Sequence, residues 1–214
     1  MHDTSVAAIN PVASVGTAPD VLLDEFQDQI LRGGLVLDLE PGDGRRALYL
    51  AEAGHRVTAL VQDAGAAALL NDAAAAGGLE LAASRESFLE HDPGAQPYDA
   101  VLCYDLLPRL SRAANASLLH RIFSWTTHGS LLFLTARHVD DTSYDEVSAT
   151  WEKAGLHSFR SPGGEHRTYL ARGVVRNLFR GWHTLHHREC MPLVDEKVLD
   201  GPRTGLIELV AKRR

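Results

Sequence analysis

The chain is poor in several things at once, and each shortage closes a class of function. Its 214 residues hold two cysteines. Cys103 and Cys190 offer neither a metal-ligand spacing nor a disulfide framework, which fits a reducing compartment. Positive charge is short as well, with 21 Lys and Arg against 28 Asp and Glu and a formal charge of −7. That balance lacks the basic face nucleic acid requires and repels anionic lipid. No apolar run approaches the ~18 residues of a membrane span, and no basic-then-apolar leader pattern opens the chain. The expectation is a soluble, cytoplasmic protein with no nucleic-acid and no membrane partner, as monomer or homodimer. Aromatic residues make up only 7%. Trp151, Phe159 and Trp182 read as core or lid packing rather than a base-stacking platform.

What the chain does have is a regular alternation of apolar strands and helices. Leu35–Leu39 is a short apolar run broken only by Asp38, which suits a buried parallel strand. Gly42 and Gly44 break it, a helix follows with Ala47, Leu48, Leu50 and Ala51 on its apolar side, and Gly54 is placed to end it in a left-handed cap. Arg56–Val61 resumes as a strand. Such a strand, glycine turn, helix and strand leave the free N–H groups of a helix start at the carboxyl edge of a sheet, where nucleotide-like ligands bind.

Around this unit, Asp20 predicts an N-cap for a helix to Leu31 with Leu22, Phe26 and Ile30 on one face. Residues 64–76 predict an alanine-dense helix closed by Gly77 and Gly78, residues 79–83 a third strand, and residues 84–96 a loop. Tyr98 to Asp105 reads as a fourth strand. Ser111 caps the next helix, whose Leu118, Leu119, Ile122, Phe123 and Trp125 share a side and which Gly129 stops, and residues 130–135 form the fifth strand. Residues 138–164 predict a polar loop, a helix over 144–154 and a second loop ending in Pro-Gly-Gly. Residues 174–179 predict a helix, and residues 182–189 and 204–211 two strands close to a hairpin. The rhythm implies an α/β, mostly parallel open sheet. It suggests one domain over 19–214, a mobile arm over 1–18 and an inserted, lid-like segment over 138–167.

Eleven histidines invite a metal site. The densest group is His183, His186 and His187, but in a strand His186 and His187 point to opposite faces and His183 lies ~13 Å from His187. No metal is assigned. His166 and Tyr169 are candidate catalytic residues, a general base near neutral pH and a substrate-orienting hydroxyl, against a plain reading as solvated loop and packed ring.

Three phrases carry a family resemblance: VLDLEPGDGRRALYLAEAGHRVTAL (Val36 to Leu60), YDAVLCYDLL (Tyr98 to Leu107) and TYLARGVVRNLFRGWHTLHHRE (Thr168 to Glu189). With the element order, they resemble the class I S-adenosylmethionine-dependent methyltransferases, in particular the tellurite-resistance and thiopurine-like small-molecule branch. The resemblance implies a Rossmann-like, seven-stranded sheet with an antiparallel last strand, and methyl transfer from S-adenosylmethionine to a small molecule. It implies cofactor contacts at Asp38, Glu40, Gly42, Gly44 and Arg45 around the glycine turn, and at Val61, Gln62 and Asp63 after the second strand. Ser84, Arg85 or Glu86 after the third strand would meet the adenine, and Cys103 and Tyr104 would line the space at the end of the fourth.

The chain departs from that pattern at specific positions. The family's glycine motif reads D-L-G-C-G-x-G, and Glu40 takes the place of its first glycine. The ribose-binding carboxylate at the end of the second strand falls on Val61, with Asp63 ~6 to 7 Å further along. The branch's basic pair before the last strand falls on Asp195 and Glu196, while Arg203 fits a further Arg and joins the catalytic candidates. Like charge at that edge disfavours a tellurite oxyanion. Two alternatives therefore stand beside methyl transfer: a cyclase, lyase or isomerase on the same scaffold, with cofactor binding weakened or lost, and a non-catalytic binding protein.

Overall fold

A computed structural model describes residues 20–190 and 205–214. The expected N-terminal arm, the acidic pair at 195 and 196, and Arg203 lie outside the described residues. The chain separates into two compact units, Met1–Asp92 and Pro93–Arg214.

In the first unit, α1 (Val21–Phe26) starts where Asp20 Oδ1 accepts the Leu23 N–H at 2.9 Å. It is shorter than expected, because a 3-10 turn over Gln27–Gln29 takes over, yet Leu22, Phe26 and Ile30 are all buried. The expected face survives the change of helix type. β1 (Leu35–Leu39) and β2 (Arg56–Val61) pair in parallel without a register shift, from Leu35 opposite Arg56 to Leu39 opposite Leu60. Between them runs α2 (Arg45–Glu52), and Gly54 follows at φ +88°, the left-handed stop read from the sequence.

α3 (Ala64–Gly77) buries Ala67, Leu70 and Ala74 and ends at Gly78 with φ +63°. The third strand, β3 (Leu81–Arg85), begins two residues later than expected. The cause is the cap: the Leu79 N–H turns back to the Ala74 carbonyl at 2.9 Å, so Leu79 closes the helix instead of opening the strand. Ser84 and Arg85 are consequently strand residues, opposite Leu60 and Val61, rather than part of the loop. Asn71 pins α3 to this strand, giving and taking one hydrogen bond with the Ala83 backbone at 2.8 Å each.

The second unit opens with β4 (Tyr98–Cys103), which stops short of Asp105 because that residue turns left-handed at φ +49°. α4 (Arg112–Trp125) is capped by Ser111 as expected. It ends at Trp125 rather than Gly129: Thr126 goes extended and its hydroxyl donates to the Ile122 carbonyl at 2.7 Å. β5 (Thr126–Arg137) therefore starts earlier than expected, and Gly129 at φ +91° sits where its register against β4 shifts.

The helix expected over residues 144–154 is α5 (Ser143–Thr150), and three short strands follow that the sequence reading missed: β6 (Glu152–Gly155), β7 (Ser158–Arg160) and β8 (His166–Thr168). Trp151 ends the helix by going extended, with ψ 151°. The three strands form an antiparallel sheet of their own, and Val147, Phe159 and Tyr169 make a core with Val139, Tyr144 and Trp151 against it. α6 (Val174–Leu178), β9 (Trp182–Cys190) and β10 (Leu206–Arg213) complete the chain. Trp182 is buried edge-on to Phe179, and Trp151 carries Arg167 over its ring at 5.4 Å, so both indoles pack.

The principal sheet has seven strands in the order β3-β2-β1-β4-β5-β10-β9. The last strand, β10, is antiparallel to both of its neighbours. This is the Rossmann-like methyltransferase architecture that the resemblance implies. On β9, His186 faces Glu208 and His187 faces Glu189, each at 3.2 Å and on opposite sides of the strand. Among the described residues no helix is long and apolar enough to cross a membrane.

Candidate cofactor site

Within the first unit the chemistry gathers at the carboxyl ends of β1, β2 and β3. Asp38, near the end of β1, is 1% exposed, and its Oδ2 has no hydrogen-bond partner among the described residues. Burial pushes this carboxyl up to about 7; the Arg46 guanidinium opposes the shift and Asp20 adds to it. Arg46 is itself drawn to Asp20, at 2.6 Å. A buried carboxylate with an unanswered oxygen is costly in a finished core.

The turn after β1 alternates in hand. Glu40, Gly42 and Gly44 take φ of +56°, +64° and +79°. At Gly44 a Cβ would also come within 2.2 Å of Leu70, so glycine is needed there for conformation and for the approach of α2 to α3. At Gly42 a Cβ would meet nothing within 4 Å, which leaves the turn open on that side. Gly44 brings no capping side chain to the N-terminus of α2, and Asp43 takes its first N–H instead: Oδ1 accepts from the Arg45 N–H at 3.2 Å and Oδ2 pairs with the Arg45 guanidinium at 2.5 Å. Glu40 holds a left-handed conformation that costs a non-glycine residue ~1 to 2 kcal/mol.

The Glu40 side chain crosses from β1 to the end of β2. Gln62 Nε2 donates to Glu40 Oε1 at 2.7 Å, and the Gln62 carbonyl accepts from Arg85 Nε at 3.2 Å. Val61 is buried, and Asp63 Oδ1 caps α3 by accepting the Ala66 N–H at 2.9 Å. After β3, Glu86 Oε2 lies 3.1 Å from Nδ1 of the buried His91 and 3.5 Å from the Ser84 hydroxyl. The structure thus brings Asp38, Glu40, Gly42, Gly44, Arg45, Val61, Gln62, Asp63, Arg85 and Glu86 to neighbouring strand ends and turns of one unit. The sequence reading did not anticipate the Glu40–Gln62 bridge or the His91 contact. A left-handed residue implied by the glycine pattern at position 40 was the one available signal for the first; nothing local marks the second.

The second unit has a different kind of polar centre. Cys103 and Tyr104 are buried at the end of β4. The Asp105 N–H donates to Thr135 Oγ1 at 2.9 Å, and the Asp105 carboxylate lies 3.6 Å from Arg137 Nε. Asp141 is buried and well satisfied: Oδ1 accepts from the Ser143 N–H at 2.9 Å and the Ser143 hydroxyl at 2.5 Å, and Oδ2 from the Gly205 N–H at 2.8 Å, with Arg137 at 3.4 Å. Burial alone would raise this carboxyl, but those hydrogen bonds and Arg137 hold it below the ordinary carboxylate range.

Tyr169 belongs to the same chain of contacts, since its hydroxyl lies 2.8 Å from Ser143 Oγ while its ring packs 5.1 Å from Tyr144. At 1% exposure the ring is core, which is the plain reading of this candidate. His166 stands on β8 opposite Arg160, with a buried Nδ1 that lacks a hydrogen-bond partner. His138 is fully buried with Nδ1 accepting from the Asp140 N–H at 3.0 Å and Nε2 3.2 Å from the Cys190 carbonyl, an arrangement suited to the Nε2–H tautomer.

Residues 23–160 match the family of the tellurite resistance protein TehB. This chain belongs to the TehB family. Among solved structures, TehB from Haemophilus influenzae is similar to it with a TM-score of 0.66 and 18% identity, over 90% of this chain and 61% of that one. The chain thus spans about three fifths of that relative's length. A 1,6-didemethyltoxoflavin-N1-methyltransferase from Burkholderia thailandensis, solved with 1,6-didemethyltoxoflavin and S-adenosylhomocysteine, gives 0.65 and 18% over 98% of this chain and 80% of its own. The [4+2]-cyclase SpnF gives 0.63 and 19% over 90% and 79%. Identities this low show a shared methyltransferase fold and nothing finer. No curated protein matches the chain.

Proposed function

We propose that the chain transfers a methyl group from S-adenosylmethionine to a small molecule. The observation that carries this reading is the unanswered, buried carboxylate of Asp38 beside an open, left-handed glycine turn. These residues fit a zwitterionic ligand. Asp38 would accept from an ammonium group, and the backbone N–H groups of the glycine turn that opens α2 would face a carboxylate, where Asp43 now takes the Arg45 N–H. When bound, the cofactor supplies an electrophilic methyl on a sulfonium. The chain's own contribution is to hold donor and acceptor in line, since proximity and alignment account for much of the barrier in such a transfer. A small acceptor suits the acidic composition, and the Burkholderia relative was solved with a small organic ligand.

Calorimetry with S-adenosylmethionine and S-adenosylhomocysteine tests the reading. Binding of both is expected; absence of both at millimolar ligand ends it. One observation favours a second reading, an enzyme of this fold that does not methylate: Val61 puts a buried apolar side chain where the family pattern has a ribose carboxylate. Under that reading the wild type binds neither ligand, and Glu40→Gly together with Val61→Asp creates binding.

A further inference from the structure

We propose that Glu40 supplies, from the end of β1, the ribose-binding carboxylate that position 61 of β2 lacks. The inference rests on the cofactor reading above and assigns one contact within it. In nucleotide-binding βαβ units an acidic residue about 20 residues beyond the glycine turn takes the ribose hydroxyls. Here that place is Val61, which is buried, and Asp63 lies beyond the end of β2 with its side chain turned to the start of α3, whose Ala66 N–H it caps.

Glu40 reaches the same strand end by another route. Its left-handed backbone at φ +56° lets β1 break off while the Glu40 N–H still pairs with the Leu60 carbonyl at 2.9 Å. Adjacent strands lie ~4.8 Å apart, within reach of a glutamate side chain. The carboxylate is caught by Gln62, the residue directly after Val61, at 2.7 Å. Gln62 is in turn anchored through its carbonyl by Arg85 at 3.2 Å. An ionised carboxylate has about four acceptor positions, more than the Gln62 amide occupies, and that hydrogen bond fixes its place at the end of β2. The same residue that removes the family's first glycine thus carries a carboxylate to the place where the family's own is missing.

The test is calorimetry on the full chain with S-adenosylhomocysteine and with its analogue lacking both ribose hydroxyls. Wild type should prefer the diol by ~10-fold or more, from the usual strength of hydrogen bonds to a charged group. Glu40→Gln should weaken S-adenosylhomocysteine by ~10-fold while leaving the analogue within about twofold, so that the preference collapses. Gln62→Ala keeps the carboxylate but removes the hydrogen bond that holds it at the end of β2, and should reduce the preference part of the way. Because the preference is a ratio within one variant, a general loss of stability does not imitate it; if Glu40→Gln does not fold, the Gln62→Ala ratio decides. A preference unchanged in Glu40→Gln, or in Gln62→Ala where that variant decides, overturns the assignment and leaves the cofactor reading standing. Wild type that binds neither ligand overturns both.

Discussion

Asp38 and Asp141 are both buried aspartates near the end of a strand, and they are treated in opposite ways. Asp141 has donors on both oxygens, from Ser143 and from the Gly205 backbone, and its carboxyl is held below the ordinary range. Asp38 has an oxygen with no partner and its carboxyl is pushed up to about 7. Full satisfaction marks a carboxylate that holds structure together. An unanswered one costs the fold, and under the proposed function that cost is what readies Asp38 for the cofactor's ammonium group.

The largest loss of stability should come from breaking the satisfied side. Asp141→Ala strands the Gly205 and Ser143 N–H groups and should cost about 3 kcal/mol at pH 7, read from urea midpoints. Gly205→Ala should cost a similar amount or more, because its Cβ would meet the Asp141 backbone at 2.7 and 2.9 Å. The sign in pH follows from the depressed carboxyl. Its stabilisation is present above the unfolded value of about 4 and is lost as pH falls through the lower folded value, so wild type and Asp141→Ala should converge in acid.

Asp38→Asn should act in the other direction. With the folded carboxyl near 7 and the unfolded one near 4, ionising Asp38 costs the fold progressively as pH rises between those values. The amide should therefore stabilise the protein by about 4 kcal/mol at pH 8, about 1.4 kcal/mol for each pH unit between those two values, and by nothing near pH 4. The same variant should weaken S-adenosylhomocysteine by ~10-fold, trading ligand for stability. A destabilised Asp38→Asn would place Asp38 with Asp141 and dissolve the contrast. Smallest of all, Glu40→Gly should stabilise the protein by only about 0.5 kcal/mol, read from thermal unfolding, as relief of the left-handed strain is partly offset by the freer unfolded chain.

The strands that could be read in advance are those with continuous apolar runs. β1 and β2 emerge with the expected limits, and the caps at Asp20, Ser111 and Gly78 are where side-chain chemistry and backbone freedom place them. β6, β7 and β8 were not legible, since segments of three or four residues with polar faces are too short to show a period. Asp141 was equally hidden: the donor that completes it, Gly205, lies 64 residues along the chain, and no local pattern announces it. The glycine turn stood between these cases. Its departure at Glu40 was visible as a broken motif, but the bridge to Gln62 required the hand of the backbone and the register of two strands.

Calorimetric titration of S-adenosylhomocysteine at pH 6, repeated in two buffers of different ionisation enthalpy, tests the central contrast most directly. Asp38 is predominantly protonated at that pH in the free protein, and an ammonium group beside it would force it to ionise. The account predicts binding with release of close to one proton, an affinity that rises with pH toward 7 and levels off above it, and loss of the proton release in Asp38→Asn. Binding with no proton exchange, or with the same exchange and affinity in Asp38→Asn, would contradict it.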